Sequence, residues 1–329
     1  MSGKATGLAE RDQSDLARSD PLLIAGRARA PLPGWLSSST FKLQLFGLDT
    51  DAIEGFELVE ELARDKTQWF CLNHSLLVVK PEVLVARSVD RVLAWLREMN
   101  FAIVEVVTFQ FSPAITRGLW RYHWNAVTGD HREAVDLLVE AAPSVAILVS
   151  SETPDQLPAS LRLAHLKGSA DPTRRQPRQL RHELGSFNQL LNHVHSPDEP
   201  LDLLRELAVV LSRQQCKDAI RAALRRQALD PQRILGDLVP PLYAAAGPPQ
   251  SLDVEEVLTV LAEDWKLDRT YLPDAGAALE LSRVRGVPLS QWQQIVLRTS
   301  SVVTHRPGIE RLVPSVSASE WSRAKIEDR

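Results

Sequence analysis

Four short apolar runs, separated by segments of helical spacing, set the limits on what this chain can fold into. They are Ser75–Val79, Phe101–Gln110, Ser144–Val149 and Leu190–Val194, each reading as a β-strand with buried positions. Between them, Val89–Met99 repeats Val89, Val92, Leu93 and Leu96, and Pro113–Trp124, Arg132–Ala142 and Leu157–Lys167 also read as helices. A further helix runs from Asp198 to Leu211, with Asp198 as its cap and Pro200 in the first turn, where a missing N–H does no harm. The order is that of a βαββαβ unit. It predicts an α+β, ferredoxin-like sandwich: a small antiparallel sheet with helices on one face.

The flanks differ in character. To about Gly34 the chain is rich in Ser, Gly, Ala, Arg and Pro with weak periodicity, which predicts a partly ordered leader. Phe41–Phe46 alternates apolar and polar residues, the pattern of a short strand, and Asp51 with Glu54 resembles a capping pair opening a helix through Glu61. Beyond Ser212 the strands disappear and helical spacing takes over, at Cys216–Arg226, Val254–Trp265, Ala275–Val284 and Leu289–Thr299. Pro240-Pro241 and Pro248-Pro249 mark linkers or sharp turns among them. The expected organisation is an N-terminal leader and extension (1–68), the βαββαβ domain (69–213) and a helical C-terminal domain (214–329).

Composition removes several function classes. Among 329 residues, 38 Lys and Arg against 42 Asp and Glu give a net charge of -4, which does not call for duplex nucleic acid as a partner. Cys71 and Cys216 are too few for a disulfide framework or a zinc site and suit a reducing cytoplasm. The charged N-terminus is unlike a signal peptide, and no apolar run approaches the roughly 20 residues that cross a bilayer. The expectation is a cytoplasmic protein with no membrane association.

The chemistry concentrates in Asn192-His193-Val194-His195-Ser196-Pro197-Asp198 and the helix that follows it, which carries Glu206. A histidine at a strand end with a carboxylate on the next helix suits an imidazole that attacks phosphorus. One ring nitrogen is held by a fixed partner while the other is the nucleophile. Phosphoryl transfer needs little else beyond positive charge and donors around the phosphoryl oxygens. Lys80, Arg181 and Arg162 are candidates for the charge, and Asn192 for a donor. Asp130, His131, Glu133 and Asp136 fall around a solvated helix face, so no metal site is expected there. There is no Ser/His/Asp or Cys/His set and no Walker-type glycine loop.

With the strand order in place, these motifs resemble those of the nucleoside diphosphate kinase family over about Asn73 to Leu211. Val78-Val79-Lys80-Pro81-Glu82 is similar to the family's strand ending in Lys-Pro-Asp, whose lysine touches the transferring phosphate. Tyr122 falls where the family has a tyrosine beside the catalytic histidine. Gly168-Ser169-Ala170-Asp171-Pro172 resembles the Gly-x-Thr-x-Pro of its nucleotide loop, and Pro177-Arg178-Gln179-Leu180-Arg181 its Pro-Gly-Thr-Ile-Arg. Asn192-x-x-His195 matches the asparagine and the phospho-accepting histidine, and Glu206 the residue that orients that histidine. The resemblance implies transfer of a γ-phosphoryl from an NTP to an acceptor nucleotide or related metabolite through phosphohistidine. It also implies Mg²⁺ brought with the nucleotide, and an oligomer of the same chain or a protein partner reached through the helical C-terminal domain. Under it, His195, Glu206 and Lys80 are catalytic, and Arg181, Asn192, Tyr122 and Arg162 bind nucleotide or phosphate.

Several positions depart from the family pattern. Its Gly-Ser-Asp after the histidine is Ser196-Pro197-Asp198, the loop threonine is Ala170, and an arginine expected before Gly168 falls at Ala164, leaving Arg162 to substitute. No clear base-stacking aromatic lies near Val127–His131. These losses define a second reading: a catalytically silent module that binds nucleotide or a protein partner.

Overall fold

The computed structural model describes residues 31–151 and 157–327, and from Gly34 onward the chain forms one compact unit. Residues 1–30, where the leader is predicted, lie outside the described residues. The sheet has four strands, β1 (His74–Val79), β2 (Ala102–Phe109), β3 (Ser144–Ser150) and β4 (Val194–His195), in the order β2-β3-β1-β4 with every neighbouring pair antiparallel. That is the α+β ferredoxin-like arrangement. β1 is buried throughout, because apolar side chains at consecutive positions need cover on both faces. β2 lies at the sheet edge and is partly exposed.

Helix α1 spans Thr40–Phe46, where the alternation predicts a strand. The Ser39 hydroxyl caps it by accepting from the Lys42 N–H, and its buried positions are Lys42 and Phe46. Within the helix the inward face is one lysine and one phenylalanine, so apolar periodicity does not show it. Asp49, not Asp51, then caps α2 (Thr50–Ala63) through the Ala52 N–H at 3.1 Å. Helix α3 (Thr67–Asn73) runs directly into β1.

Helices α4 (Val89–Glu98), α5 (Pro113–Leu119) and α7 (Ala159–Lys167) fall within the expected segments with shorter ends, whereas α6 (Gly129–Val139), capped by Thr128, starts before its expected segment and also ends before that segment does. Helix α8 (Pro200–Val210) begins one residue later than expected. Its N-cap is Glu199 rather than Asp198, and Asp202 at the third helical position accepts the Glu199 N–H at 3.0 Å. Helix α8 packs against β1 and α2. Gly55 permits that contact: a Cβ there would lie 2.1 Å from the Leu204 carbonyl oxygen.

The last strand is much shorter than the apolar run Leu190–Val194. His193 has φ of +68°, a left-handed turn that breaks the extended path and any alternation between His193 and His195. The Leu190 and Leu191 N–H groups are satisfied by the Asn188 side-chain oxygen instead of a neighbouring strand. Only Val194 and His195 pair with β1, opposite Val79 and Val78.

Helix α9 (Arg213–Leu224) packs on β2, followed by α10 (Val254–Asp264), α11 (Ala275–Arg285) and α12 (Gln291–Ser301), of which α12 packs on α6. The chain then returns across the 122–131 segment. Val127 bridges to His305, the Arg306 N–H donates to the Ala126 carbonyl, and the Leu312 N–H donates to the Tyr122 carbonyl. It ends in α13 (Ala318–Glu327), packed on α7.

Candidate active site

His195 ends β4 at the wall of a cavity of about 750 Å³. Its Nε2 lies 3.0 Å from Glu206 Oε2, and its Nδ1 accepts from the Trp120 indole N–H at 3.4 Å, with the two rings edge to face. An indole N–H can only donate, so Nδ1 is the acceptor and the neutral ring carries its proton on Nε2, directed at Glu206. The pair is largely enclosed, with side-chain exposures of 16% for His195 and 8% for Glu206. Burial, followed by the charge of Lys167, drives the His195 imidazole well below its usual range. Burial also pushes the Glu206 carboxyl up to about 8, against the pull of Arg205. The ring is therefore uncharged at neutral pH, with a lone pair on Nδ1.

The two motif cations are engaged within the protein. Lys80 is buried; its ammonium donates to the Leu190 carbonyl at 2.8 Å and pairs with Glu82 Oε1 at 2.7 Å, and burial lowers its pKa. Arg181 sits on the short helical turn Leu180–Glu183. Its guanidinium donates to the carbonyls of Gly168 (3.0 Å), Asn192 (3.1 Å) and Val194 (2.6 Å) and to Asn192 Oδ1 (3.3 Å). Burial, then the nearby Arg175, brings its pKa down to about 9. Both side chains line the cavity, yet their hydrogen bonds fix the turn that delivers His195. Asn192 also lines the cavity and donates its amide to the Gln189 carbonyl at 2.7 Å.

Tyr122 reaches the cavity wall, but its hydroxyl donates to Asp49 Oδ2 at 2.7 Å and its ring stacks on Phe46. Asp49 also accepts from Arg205 Nε and Arg121 Nη1, both at 3.0 Å. Burial and the Asp49 bond push the Tyr122 phenol up to about 12. Arg162 is not brought to the site. It donates to Ser151 Oγ (2.8 Å) and the Met99 carbonyl (2.7 Å), and its guanidinium lies over the Phe101 ring.

Other groups at the cavity wall were not picked out by motif. Lys167, at the end of α7, donates to Ser196 Oγ at 2.8 Å and to the Ser196 carbonyl at 3.2 Å, one residue from His195. Burial lowers its pKa to about 8, with Arg181 acting in the same direction. Ala164, where the resemblance places an arginine, lies one helical turn before it, and both positions face the cavity. That i, i+3 spacing is the signal by which Lys167 could have been found. Lys42 of α1 lines the cavity too, pairing with Glu199 Oε2 at 2.9 Å and with Asp202 at 2.5 Å. Arg311 and residues 313–318 reach the cavity from the C-terminal segment, with no local sequence signal.

Arg178 stands where the family has glycine, and its φ is +70°, a conformation that favours glycine. It is held there by its carbonyl, which accepts from Trp95 Nε1 at 2.9 Å, and by its N–H, which donates to Glu183 Oε1 at 2.9 Å. Among the described residues no cluster of three or more His, Cys, Asp or Glu side chains is arranged to hold a metal ion. None of the described helices is long and apolar enough to cross a membrane.

His195, Glu206, Lys80 and Arg181 lie within a segment that is similar to known proteins. Residues 73–216 match the family model described as nucleoside diphosphate kinase. No curated protein matches the chain. Among solved structures, a nucleoside diphosphate kinase of Aquifex aeolicus is 19% identical, with a TM-score of 0.37, over 43% of this chain and 95% of that one. A halophilic nucleoside diphosphate kinase of Halobacterium salinarum, determined in complex with CDP, is 15% identical, with a TM-score of 0.35, over 42% of this chain and 87% of that one.

Proposed function

We propose, from the premise that residues 73–216 are a divergent nucleoside diphosphate kinase-like segment, that this protein moves the γ-phosphoryl group of an NTP to an acceptor nucleotide or related metabolite through a phosphohistidine at His195. The observation that carries the proposal is the imidazole held at Nε2 by Glu206, 3.0 Å away, with Nδ1 left unprotonated at the wall of a nucleotide-sized cavity. The Nδ1 lone pair attacks the γ-phosphorus. The bond to the β,γ-bridging oxygen breaks, and the NDP leaves with that electron pair. A terminal oxygen of the acceptor then attacks the same phosphorus, breaking the P–N bond and restoring the ring. The Nε2 proton stays directed at Glu206 Oε2, a hydrogen bond that strengthens as positive charge builds on the phosphorylated imidazole.

Mg²⁺ would enter on the nucleotide's phosphates and spread their charge. Asp198, whose carboxyl is held below its usual range by Lys167 and Lys42 against burial, is the wall carboxylate suited to its water shell.

A second reading, nucleotide binding without transfer, is favoured by the Trp120 N–H resting on Nδ1 and by Lys80 and Arg181 being engaged by Glu82 and backbone carbonyls. Incubation with γ-labelled ATP and Mg²⁺ separates the two. The first reading expects acid-labile, alkali-stable label on the protein, none on His195→Ala, and faster labelling of Trp120→Phe, which frees Nδ1. Absence of label from the unaltered protein, or equal label on His195→Ala, would overturn it. A nucleotide-dependent stabilisation of about 2.7 kcal/mol at 100 times Kd, without label, is the outcome expected of the second.

A further inference from the structure

Most cations at the cavity wall already have protein partners: Lys80 with Glu82, Lys42 with Glu199 and Asp202, Arg205 with Asp49, Arg181 with three carbonyls, Lys167 with Ser196. Arg174 and Arg311 differ. Both line the cavity and are exposed, and neither side chain makes a hydrogen bond or ion pair among the described residues. Arg174 ends the helical turn Pro172–Arg174, in the loop that Gly168 opens. Arg311 comes from the C-terminal segment, which lies outside residues 73–216.

The segment carrying Arg311 is fixed in place. The Asn125 amide donates to the Glu310 carbonyl at 2.7 Å, Thr128 Oγ1 to the Val303 carbonyl at 2.6 Å, and Thr304 Oγ1 to Gln189 Oε1 at 2.9 Å. With the segment present, a cavity of about 750 Å³ still remains, within the range of small-molecule sites. The segment therefore walls the cavity without filling it. After burial, Arg311 is among the charges that lower His123, His131 and His305, so these imidazoles are neutral at pH 7 and do not compete for an anion.

We infer that Arg174 and Arg311 are the groups that grip the phosphate tail of a nucleoside di- or triphosphate, so that the C-terminal segment completes the binding site. The inference rests on the nucleotide reading above and deepens it. A guanidinium presents paired N–H donors to phosphate oxygens, and two of them with no partner among the described residues can do so at little reorganisation cost. The cations matched by motif hold the turn that presents His195, and these two take over anion capture.

The test is titration calorimetry on full-length protein with ADP, AMP and pyrophosphate, using Arg311→Ala, Arg174→Ala and the lysine variant of each. The unaltered protein binds ADP and pyrophosphate. Each alanine variant weakens both by about tenfold, as expected for loss of one charge-assisted contact, while AMP binding changes less. Each lysine variant, keeping the charge but losing the fork, falls between. Melting temperatures stay unchanged, because neither side chain has a partner to lose among the described residues. Normal ADP affinity in both alanine variants overturns this inference and leaves the nucleotide reading standing. If the unaltered protein binds none of the three ligands, both are overturned.

Discussion

Lys42 is the side chain whose removal most directly tests how the N-terminal helix is tied to the site. Its ammonium is buried between Glu199 and Asp202 at the start of α8, and Glu199 also accepts from Ser37 Oγ (2.7 Å), Ser38 Oγ (2.6 Å) and the Ser38 N–H (2.8 Å). Burial alone would lower the lysine pKa, but the two carboxylates outweigh it and raise it, so Lys42 is charged in both folded and unfolded chains below its ordinary value of 10.5. Lys42→Met keeps the stem and removes the charge, leaving two enclosed carboxylates without their cation. Breaking a buried ion pair in this way costs about 3–5 kcal/mol. The loss depends on pH in a definite sense. Without Lys42, both carboxyls have folded pKa values above their unfolded ones, so the folded variant binds more protons and gains stability as pH falls. Asp202 is already raised to about 7 by burial despite Lys42, and Glu199, which Lys42 holds below its usual range against burial, would move upward as well. Each proton held only by the folded state adds up to about 1.4 kcal/mol per pH unit. Urea unfolding followed by tryptophan fluorescence should show a deficit of about 3–5 kcal/mol at pH 7.5 that shrinks by about 1–2 kcal/mol at pH 5.5. A deficit below about 1 kcal/mol at pH 7.5, or one that does not change with pH, would refute the reasoning.

Two further substitutions probe the backbone that supports the site. Gly55→Ala should destabilise by about 2 kcal/mol or more, reversing the roughly 1 kcal/mol gain that alanine normally brings to a helix, because its Cβ would lie 2.1 Å from the Leu204 carbonyl oxygen. An unchanged or raised melting temperature would show that α2 and α8 can separate freely. Arg178→Gly should be about 1 kcal/mol more stable than Arg178→Ala, because only glycine takes φ of +70° without strain and the surface pair with Glu98 adds little. Thermal melts giving the opposite order would contradict that account.

The sheet was legible because its strands are apolar at consecutive positions and β-prone, a pattern that depends only on burial. What the sequence concealed are the places where burial is decided by charge. In α1 the inward face is Lys42 and Phe46, so the outward Phe41 and Leu45 created a false alternation. In the run before His195, hydrophobic residues were compatible with a strand. The backbone instead turns at His193, because the side chains of Asn188, Lys80 and Arg181 satisfy its polar groups. The His195–Glu206 contact could be anticipated, since both its members lie within 12 consecutive residues and the helix start between them is marked by Pro200. Arg311 could not be anticipated, because its position depends on a chain reversal more than 100 residues after β4.

Survival of a motif residue and survival of its chemical role are separate matters, and hydrogen-bond direction distinguishes them. A lysine or arginine that awaits a phosphate must keep donors free toward the cavity. Lys80 directs its ammonium at Glu82 and the Leu190 carbonyl, and Arg181 spends donors on Gly168, Asn192 and Val194. The carbonyls of Leu190, Asn192 and Val194 lie just before His195 in the chain, so the two cations hold the short strand and its turn in register. Removing either would leave carbonyls without donors, and for Lys80 an enclosed carboxylate as well, next to the residue whose position matters most. Retention of these two residues is thus explained by support of the imidazole alone. Whether phosphate is gripped here turns on the cations that remain uncommitted, and the closest of those in sequence to the nucleotide-loop motif is Arg174, two residues beyond its proline.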